Sequence, residues 1–388
     1  MNRFPNSVPF WISALIITLG YSWVTYEMLA GNIFSDFLAH IDIWKFYHEQ
    51  GKIPFPPLYY LTFYGISFLI PGYQSLKIAL LLLMGLSWLG KFVITYHFLE
   101  NEIRQNPWFF WIPLGLLMMF PLVFLGWEGE YWLLGKMTPN LWHNGSTIFV
   151  FPFCMLLFWE VRKWGTGSHP NWLLLLIWTL LILLIKPSYL FGLIPGLIAL
   201  AFISKASQKS LFAMGIYSVF VLVFLFGSKW VIFSETAEDS LFYNFNARGD
   251  VIIDPFGVWL KLSESPVWDF LGSFPLLIFS LIFFGKSLLG DSDFRLALMT
   301  FCFGLLVFFI FAESGPGYLD GNFYWQIPIS LFILHLVIVR ILLGSFFQAK
   351  QMNPTVLSKI RILGSLFFLH VLSGLAYLLR MLEAGTTL

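Results

Sequence analysis

The chain has 388 residues, of which 58% are hydrophobic, 20% aromatic and only 11% charged; a soluble domain carries about 25% charged residues. With a mean hydropathy of +0.79 and a net charge of +1, it reads as a polytopic membrane protein. No Lys/Arg run marks a nucleic-acid surface and no Gly-rich loop marks a phosphate site, while Cys154 and Cys302 lie in apolar runs and offer neither a disulfide framework nor a metal spacing.

A bilayer span needs about 20 apolar residues, with about 17 tolerated. In chain order the candidates are 8–30, 75–98, 108–127, 146–160, 171–185, 188–203, 210–232, 269–285, 294–313, 322–343 and 358–380. The first lacks a short apolar core followed by an A-x-A site and reads as an uncleaved anchor. The segment 57–71, PLYYLTFYGISFLIP, has a proline at each end. At about 15 residues it has the length of a re-entrant or interfacial piece.

The positive-inside rule arbitrates whether 57–71 crosses. If it does not, Arg3, Arg104, Arg162, Lys163, Lys205, Lys209, Lys286, Arg295, Arg340, Lys350, Lys359 and Arg361 share the cytoplasmic side. Most acids then fall in the outer segments 31–74, 128–145, 233–268 and 314–321. If it does cross, every later basic connector faces outward. The expected fold is therefore all-α: a single integral membrane domain over 1–388, a bundle of about 11 spans. An amphipathic interfacial helix and a re-entrant segment sit in its first outer loop. No internal repeat is visible.

The stretch FSDFLAHIDIWKFYH, 34–48, has helical periodicity. Phe34, Phe37, Leu38, Ile41 and Trp44 take one side. Asp36, His40 and Tyr47 share a neighbouring stripe, because residues four apart lie on one face. Ser35 is the expected N-cap, and the helix is expected to lie in the interface with its apolar face in lipid. The ordinary reading of Asp36 and Asp42 is as solvated helix charges. Three other outer segments point further. WEGEYWLLGKMTPNLWHNGST, 127–147, sets Glu128, Glu130, Lys136, His143 and Asn144 among tryptophans, a texture shared by carbohydrate sites and membrane-interface belts. Asn144-Gly145-Ser146 also fits the N-glycosylation pattern. Lys186, in IKPSY, lies between two apolar runs. A lysine at the centre of a membrane helix costs about 2.5–3.5 kcal/mol, so it either snorkels from a short hairpin or meets an anion such as phosphate. ESGPGYLDGNFYW, 313–325, gathers Glu313, Asp320 and Asn322 in a glycine-shaped loop. Arg248, in NARGD of the 233–268 segment, is a solvated loop arginine or a bidentate phosphate contact.

An apolar first span, an acid just after it, an amphipathic helix, a Pro-Pro-Leu-Tyr-Tyr segment (Pro56 to Tyr60) and a multi-span bundle follow one another. In this layout the chain resembles the GT-C fold membrane glycosyltransferases. The resemblance implies transfer of a sugar from a polyprenyl-phosphate-linked donor to a glycan, lipid or protein acceptor. It also implies an outward-facing site in a bilayer, in a bacterial inner membrane, and the functional acid of the first outer loop maps onto Asp36, with Asp42 second. The first loop departs from the family's pattern in having no adjacent acid pair, only Asp36 and Asp42 six apart. A divalent cation is therefore not indicated, and the cofactor stays open.

The transfer needs a base for the acceptor hydroxyl and charge stabilisation for the leaving phosphate. Asp36 is the candidate general base. His40 is placed to orient it, Lys186 or Arg248 to meet the phosphate, and Glu128, Glu130, His143 and Asn144 to hold sugar hydroxyls. Asp42, Glu313, Asp320 and Asn322 complete the candidate binding set. Two other classes compete: a transporter or flippase for a lipid-linked saccharide, expected to show broken helices at the midplane, and a polysaccharide polymerase or ligase using a later outer loop.

Overall fold

A computed structural model describes residues 8–105, 107–124, 129, 132–203, 207–234, 250–349 and 354–387. The apolar runs fold as helices, and length decides which can cross. The chain opens with α1 (Val8–Ala30), α2 (Asp36–Glu49), α3 (Pro57–Ser67), α4 (Ser75–Phe98), α5 (Glu100–Gln105) and α6 (Trp111–Met118). It continues with α7 (Gly145–Gly165), α8 (Trp172–Ile185), α9 (Ser188–Ile203), α10 (Gln208–Ser234), α11 (Gly257–Leu262) and α12 (Pro266–Ser273). The last four are α13 (Pro275–Gly290), α14 (Ser292–Ile310), α15 (Gln326–Ala349) and α16 (Pro354–Ala384). A two-stranded antiparallel sheet, β1 (Val251–Ile253) with β2 (Phe311–Glu313), pairs Ile252 with Ala312 and is the one non-helical addition to the expected class among the described residues.

Among the described residues, α1, α4, α7, α10, α14, α15 and α16 are long and apolar enough to cross a membrane. An eighth crossing arises if α12 and α13 count as one broken span, bent by 52° at Phe274. Pro275 explains the break, since it cannot donate its backbone nitrogen to the preceding turn. At 1.5 Å per residue, α8 and α9 reach only about 21 and 24 Å, short of a hydrocarbon core of about 30 Å. The α3 helix, 11 residues long, is shorter still.

The run 108–127 departs from the expected span. Its helix covers only Trp111–Met118, and residues 119–124 lie outside helix and strand. Pro121 is the local cause, because the residue before a proline is pushed out of helical geometry. Non-helical backbone inside a membrane bundle must find partners within the protein, and here it does. Phe120 N donates to His370 O at 3.1 Å and Leu122 N to Gly272 O at 2.8 Å. His370 Nδ1 lies 2.7 Å from Phe120 O. The Asn140 amide donates to Leu116 O and Met119 O at 2.9 and 2.8 Å.

The α2 helix also departs from expectation. Ser35 is its N-cap, accepting from Phe37 N, but the apolar face turns into the protein, not into lipid. Phe37, Ile41 and Trp44 are buried, and Trp44 packs on Phe63 and Tyr64 of α3. Phe34, assigned to that face, is exposed, because the chain there leaves the helix to pair with Thr386.

The core is organised around α15, in which every residue from Gln326 to Val339 is buried. The α9 helix meets α14 backbone to backbone: a Cβ at Gly192 would come within 2.5 Å of Thr300 O, the close approach that small residues allow in membrane bundles. The two ends of α7 differ sharply. Asn144 caps its start, while Arg162, about 27 Å away along the axis, donates to Asp293 at 2.6 Å. Arg340 joins the second cluster through Asp293 and Asp291.

One buried ion pair ties the 132–145 loop to α12. Lys136 Nζ lies 3.1 Å from Asp269 Oδ1, and Ser263 Oγ donates to the other carboxylate oxygen. Gly135 makes this approach: its φ is +81°, and a Cβ there would fall 2.5 Å from Ser263 Cβ. Breaking such a pair from one side leaves a buried charge and costs about 3–5 kcal/mol, whereas replacing both partners by apolar groups is often neutral. Asp269→Ala is expected to lower the thermal midpoint in detergent strongly, and Lys136→Met with Asp269→Leu to recover most of the loss. Equal midpoints for the single variant and the parent would contradict this.

Candidate functional site

At one end of the bundle three segments far apart in sequence meet at Asn144. Its place as N-cap of α7 fixes the side chain, whose Oδ1 accepts from Thr147 N at 3.1 Å, the usual capping bond. The same oxygen accepts from Lys186 Nζ at 2.9 Å, and the amide nitrogen donates to Asp36 Oδ2 at 2.8 Å. Asn144 thus stands between a carboxylate and an ammonium. Asp36 lies in the first turn of α2, where a negative charge is favoured by the helix dipole. Lys186 lies in the connector between α8 and α9, in extended conformation. It also donates to Ser146 Oγ at 3.2 Å and lies 4.6 Å from the centre of the Trp325 ring.

Two histidines flank this group. His40 Nδ1 is 2.9 Å from Tyr60 OH, and its ring meets Tyr59 edge-on at 5.1 Å. His143 is buried, its Nδ1 has no hydrogen-bond partner, and its ring lies 6.0 Å from that of Trp325. Gly145 is required where it stands, since a Cβ would reach 2.2 Å from Tyr59 OH. Burial holds the His40 imidazole down to about 4, aided by the charge of Lys186 and opposed by that of Asp36. Burial likewise lowers His143, again against Asp36, so both rings are neutral at pH 7. Burial lowers the Lys186 ammonium to about 7, with Asp36 opposing. Asp320, at the exposed edge of the group, is raised by partial burial and then by the nearby charge of Asp36.

Of the residues singled out from sequence, Asp36, His40, His143, Asn144, Lys186 and Asp320 fall in or beside this cluster. Asp42 does not: it is exposed and lies 3.5 Å from Lys45. Glu313 accepts from the Asn322 amide at 3.0 Å, and Gly317 lies between the Glu313 and Asp320 carboxylates. Glu128, Glu130 and Arg248 lie outside the described residues. The Asn144 glycosylation pattern has no acceptor to offer, because the side chain is buried and fully engaged.

Sequence reading passed over Trp325, Ser146 and the buried Lys91. Lys91 donates to Asn140 Oδ1 at 2.7 Å and lies 3.5 Å from the centre of the Phe151 ring. The signal for Lys91 was available, a lysine inside an apolar run; nothing in the sequence separates Trp325 from the other tryptophans. Among the described residues no group of three or more His, Cys, Asp or Glu side chains is placed to hold a metal ion.

The lowered histidines set an acid-side stability profile. An unfolded histidine titrates near about 6.5, so as pH falls below that value the unfolded chain takes up protons that folded His40 refuses down to about 4 and that folded His143, lowered by burial, also resists. Stability is complete above that window and falls through it. The thermal midpoint is expected to drop between about pH 6.5 and 4.5, and His40→Gln to make that drop smaller. An unchanged slope in His40→Gln would contradict the assignment. No family model, no curated protein and no solved structure matches this chain.

Proposed function

We propose that the protein is a membrane glycosyltransferase that moves a sugar from a polyprenyl-phosphate-linked donor to an extracytoplasmic acceptor. The meeting of Asp36, Asn144 and Lys186 carries the reading. It sets a carboxylate and an ammonium on the two sides of one amide at the end of an apolar bundle, as the layout resembling the GT-C enzymes requires. Asp36 is the general base: it takes the acceptor hydroxyl proton as that oxygen bonds to the anomeric carbon. The bond from that carbon to the phosphate oxygen breaks, and the departing phosphate gains charge beside Lys186. Asn144 holds both groups in register.

The same reading gives 11 crossings in a bacterial inner membrane, with the site outward. It counts 111–124, α8, α9 and the α12–α13 pair as spans, with α3 re-entrant. The pairing of Phe34 with Thr386 supports it, because it brings the ends of α1 and α16 to one side. An even number of crossings must then separate them, and this scheme has ten. The basic cluster of Arg162 and Arg340 lies at the opposite end, where the positive-inside rule puts it.

A second reading, a transporter or flippase for a lipid-linked saccharide, is favoured by Lys91 buried within α4 and by the broken segments at 119–124 and Phe274, features of midplane binding sites. The two part in reconstituted vesicles. Asp36→Asn is expected to cut transfer from a radiolabelled polyprenyl-phosphate sugar by about 10²–10⁴-fold, with insertion and thermal midpoint retained. Full transfer in that variant removes Asp36 from the chemistry; movement of the lipid without transfer favours the second reading. With Cys154 and Cys302 replaced, single cysteines at Ser35 and Ser314 are expected to react with an impermeant thiol reagent in intact cells and one at Ser168 not to. Labelling at Ser168 would overturn the topology.

A further inference from the structure

Beside the Asp36 cluster lies a cavity of about 80 Å³. A water molecule needs about 10–15 Å³ by this measure, so the space suits a group of several heavy atoms. Its walls include Trp325, Tyr324, His143 and Asp320, with Lys136 behind and Leu319 at the rim. Four observations define what fits. The Trp325 indole forms a wall of the cavity while its ring also carries the Lys186 ammonium, so it stands between the cavity and the cation assigned to phosphate. His143 is buried, and its Nδ1 has no hydrogen-bond partner, a costly state unless a ligand or water completes it. Asp320 offers carboxyl oxygens, and burial raises its proton affinity. The positive charge of Lys136 faces the Asp269 carboxylate at 3.1 Å.

The cavity thus combines flat aromatic walls with hydroxyl-pairing groups, and its cation is already balanced. A phosphate or carboxylate would meet Asp320 without a free counter-charge. A purely apolar chain would offer nothing to the polar residues of the lining, His143 and Asp320. Resting on the glycosyltransferase reading, we infer that this cavity seats a neutral sugar ring of the acceptor, so that the acceptor is itself a saccharide. Trp325 lies against the apolar face of the ring, and His143 and Asp320 bond its hydroxyls. Asp36, joined through Asn144 to the Lys186 that lies on Trp325, is the base for the acceptor hydroxyl.

The test is binding, read separately from transfer. The full chain in lipid nanodiscs is titrated with methyl glucoside, methyl galactoside, methyl mannoside and N-acetylglucosamine, followed by saturation-transfer NMR. At least one is expected to bind, with Trp325→Leu and His143→Ala weakening it tenfold or more and Trp325→Phe restoring most of it. Leu319→Trp, which fills the cavity from its half-exposed rim, is expected to block binding with the thermal midpoint unchanged, and covers the case in which a core variant fails to fold. Asp36→Asn is expected to bind like the parent. No binding of any of the four sugars, or equal binding in Trp325→Leu, His143→Ala and Leu319→Trp, overturns the inference. Loss of transfer in Asp36→Asn with no sugar in the cavity leaves the glycosyltransferase reading standing and this one not. Sugar binding with full transfer in Asp36→Asn does the reverse.

Discussion

The candidate site hangs on a single side-chain amide. Asn144 has one oxygen and one nitrogen to spend. The oxygen is shared between the first turn of α7 and the Lys186 ammonium, while the nitrogen goes to Asp36. An amide can accept from a cation at its oxygen and donate to a carboxylate from its nitrogen at the same time. A carboxylate in its place would repel Asp36, and a hydroxyl would not reach both. Because the amide is locked by its capping bond, α7 fixes the relation between a helix 108 residues earlier and a connector 42 residues later. The glycine that follows matters for the same reason: it leaves the room that Tyr59 and Phe37 fill, which draws α2 and α3 against the start of α7.

Around this point the protein keeps its charges in balanced sets. Lys136 meets Asp269, and Arg162 and Arg340 share Asp293. Lys91 is held by an asparagine and aromatic rings. In a low-dielectric bundle an uncompensated charge is costly, so these partners determine which helices stay adjacent. The Asp36 group is different in kind. Its ammonium and carboxylate are joined through a neutral amide, and Asp36 and Lys186 both retain some open surface. A pair held this way keeps its polarity available to something that enters.

Much of this was legible in the sequence where a local rule applied. Ser35 as a cap, the i, i+4 stripe of Asp36 and His40, and the shortness of 57–71 all follow from helical geometry, and the structure has each of them. The grouping of Asp36, His143, Asn144, Lys186 and Asp320 was open only as a list of polar residues on one predicted face. Their contacts depend on how α2, α7 and the α8–α9 connector pack, and no pattern within any one segment encodes that. Departures from local expectation arise where tertiary partners outweigh composition. The 108–127 run is apolar enough to span, but Pro121 stops its helix and distant residues satisfy the freed backbone. The apolar face of α2 fits lipid by composition, and α3 offers it a protein surface instead.

The non-helical piece at 119–124 has a consequence for how the chain is made. Both backbone groups of Phe120 are satisfied by His370, 250 residues downstream, and Leu122 by Gly272. While the ribosome is still building the middle of the protein, neither partner exists. For that interval the segment cannot rest in lipid as an independent unit, since a helix satisfies its own backbone and this stretch does not. It has to wait in a watery or protein-lined setting until α16 arrives. The order of synthesis thus leaves this segment waiting for α16, and its packing is a docking step onto a helix made 250 residues later, after the individual spans have been inserted.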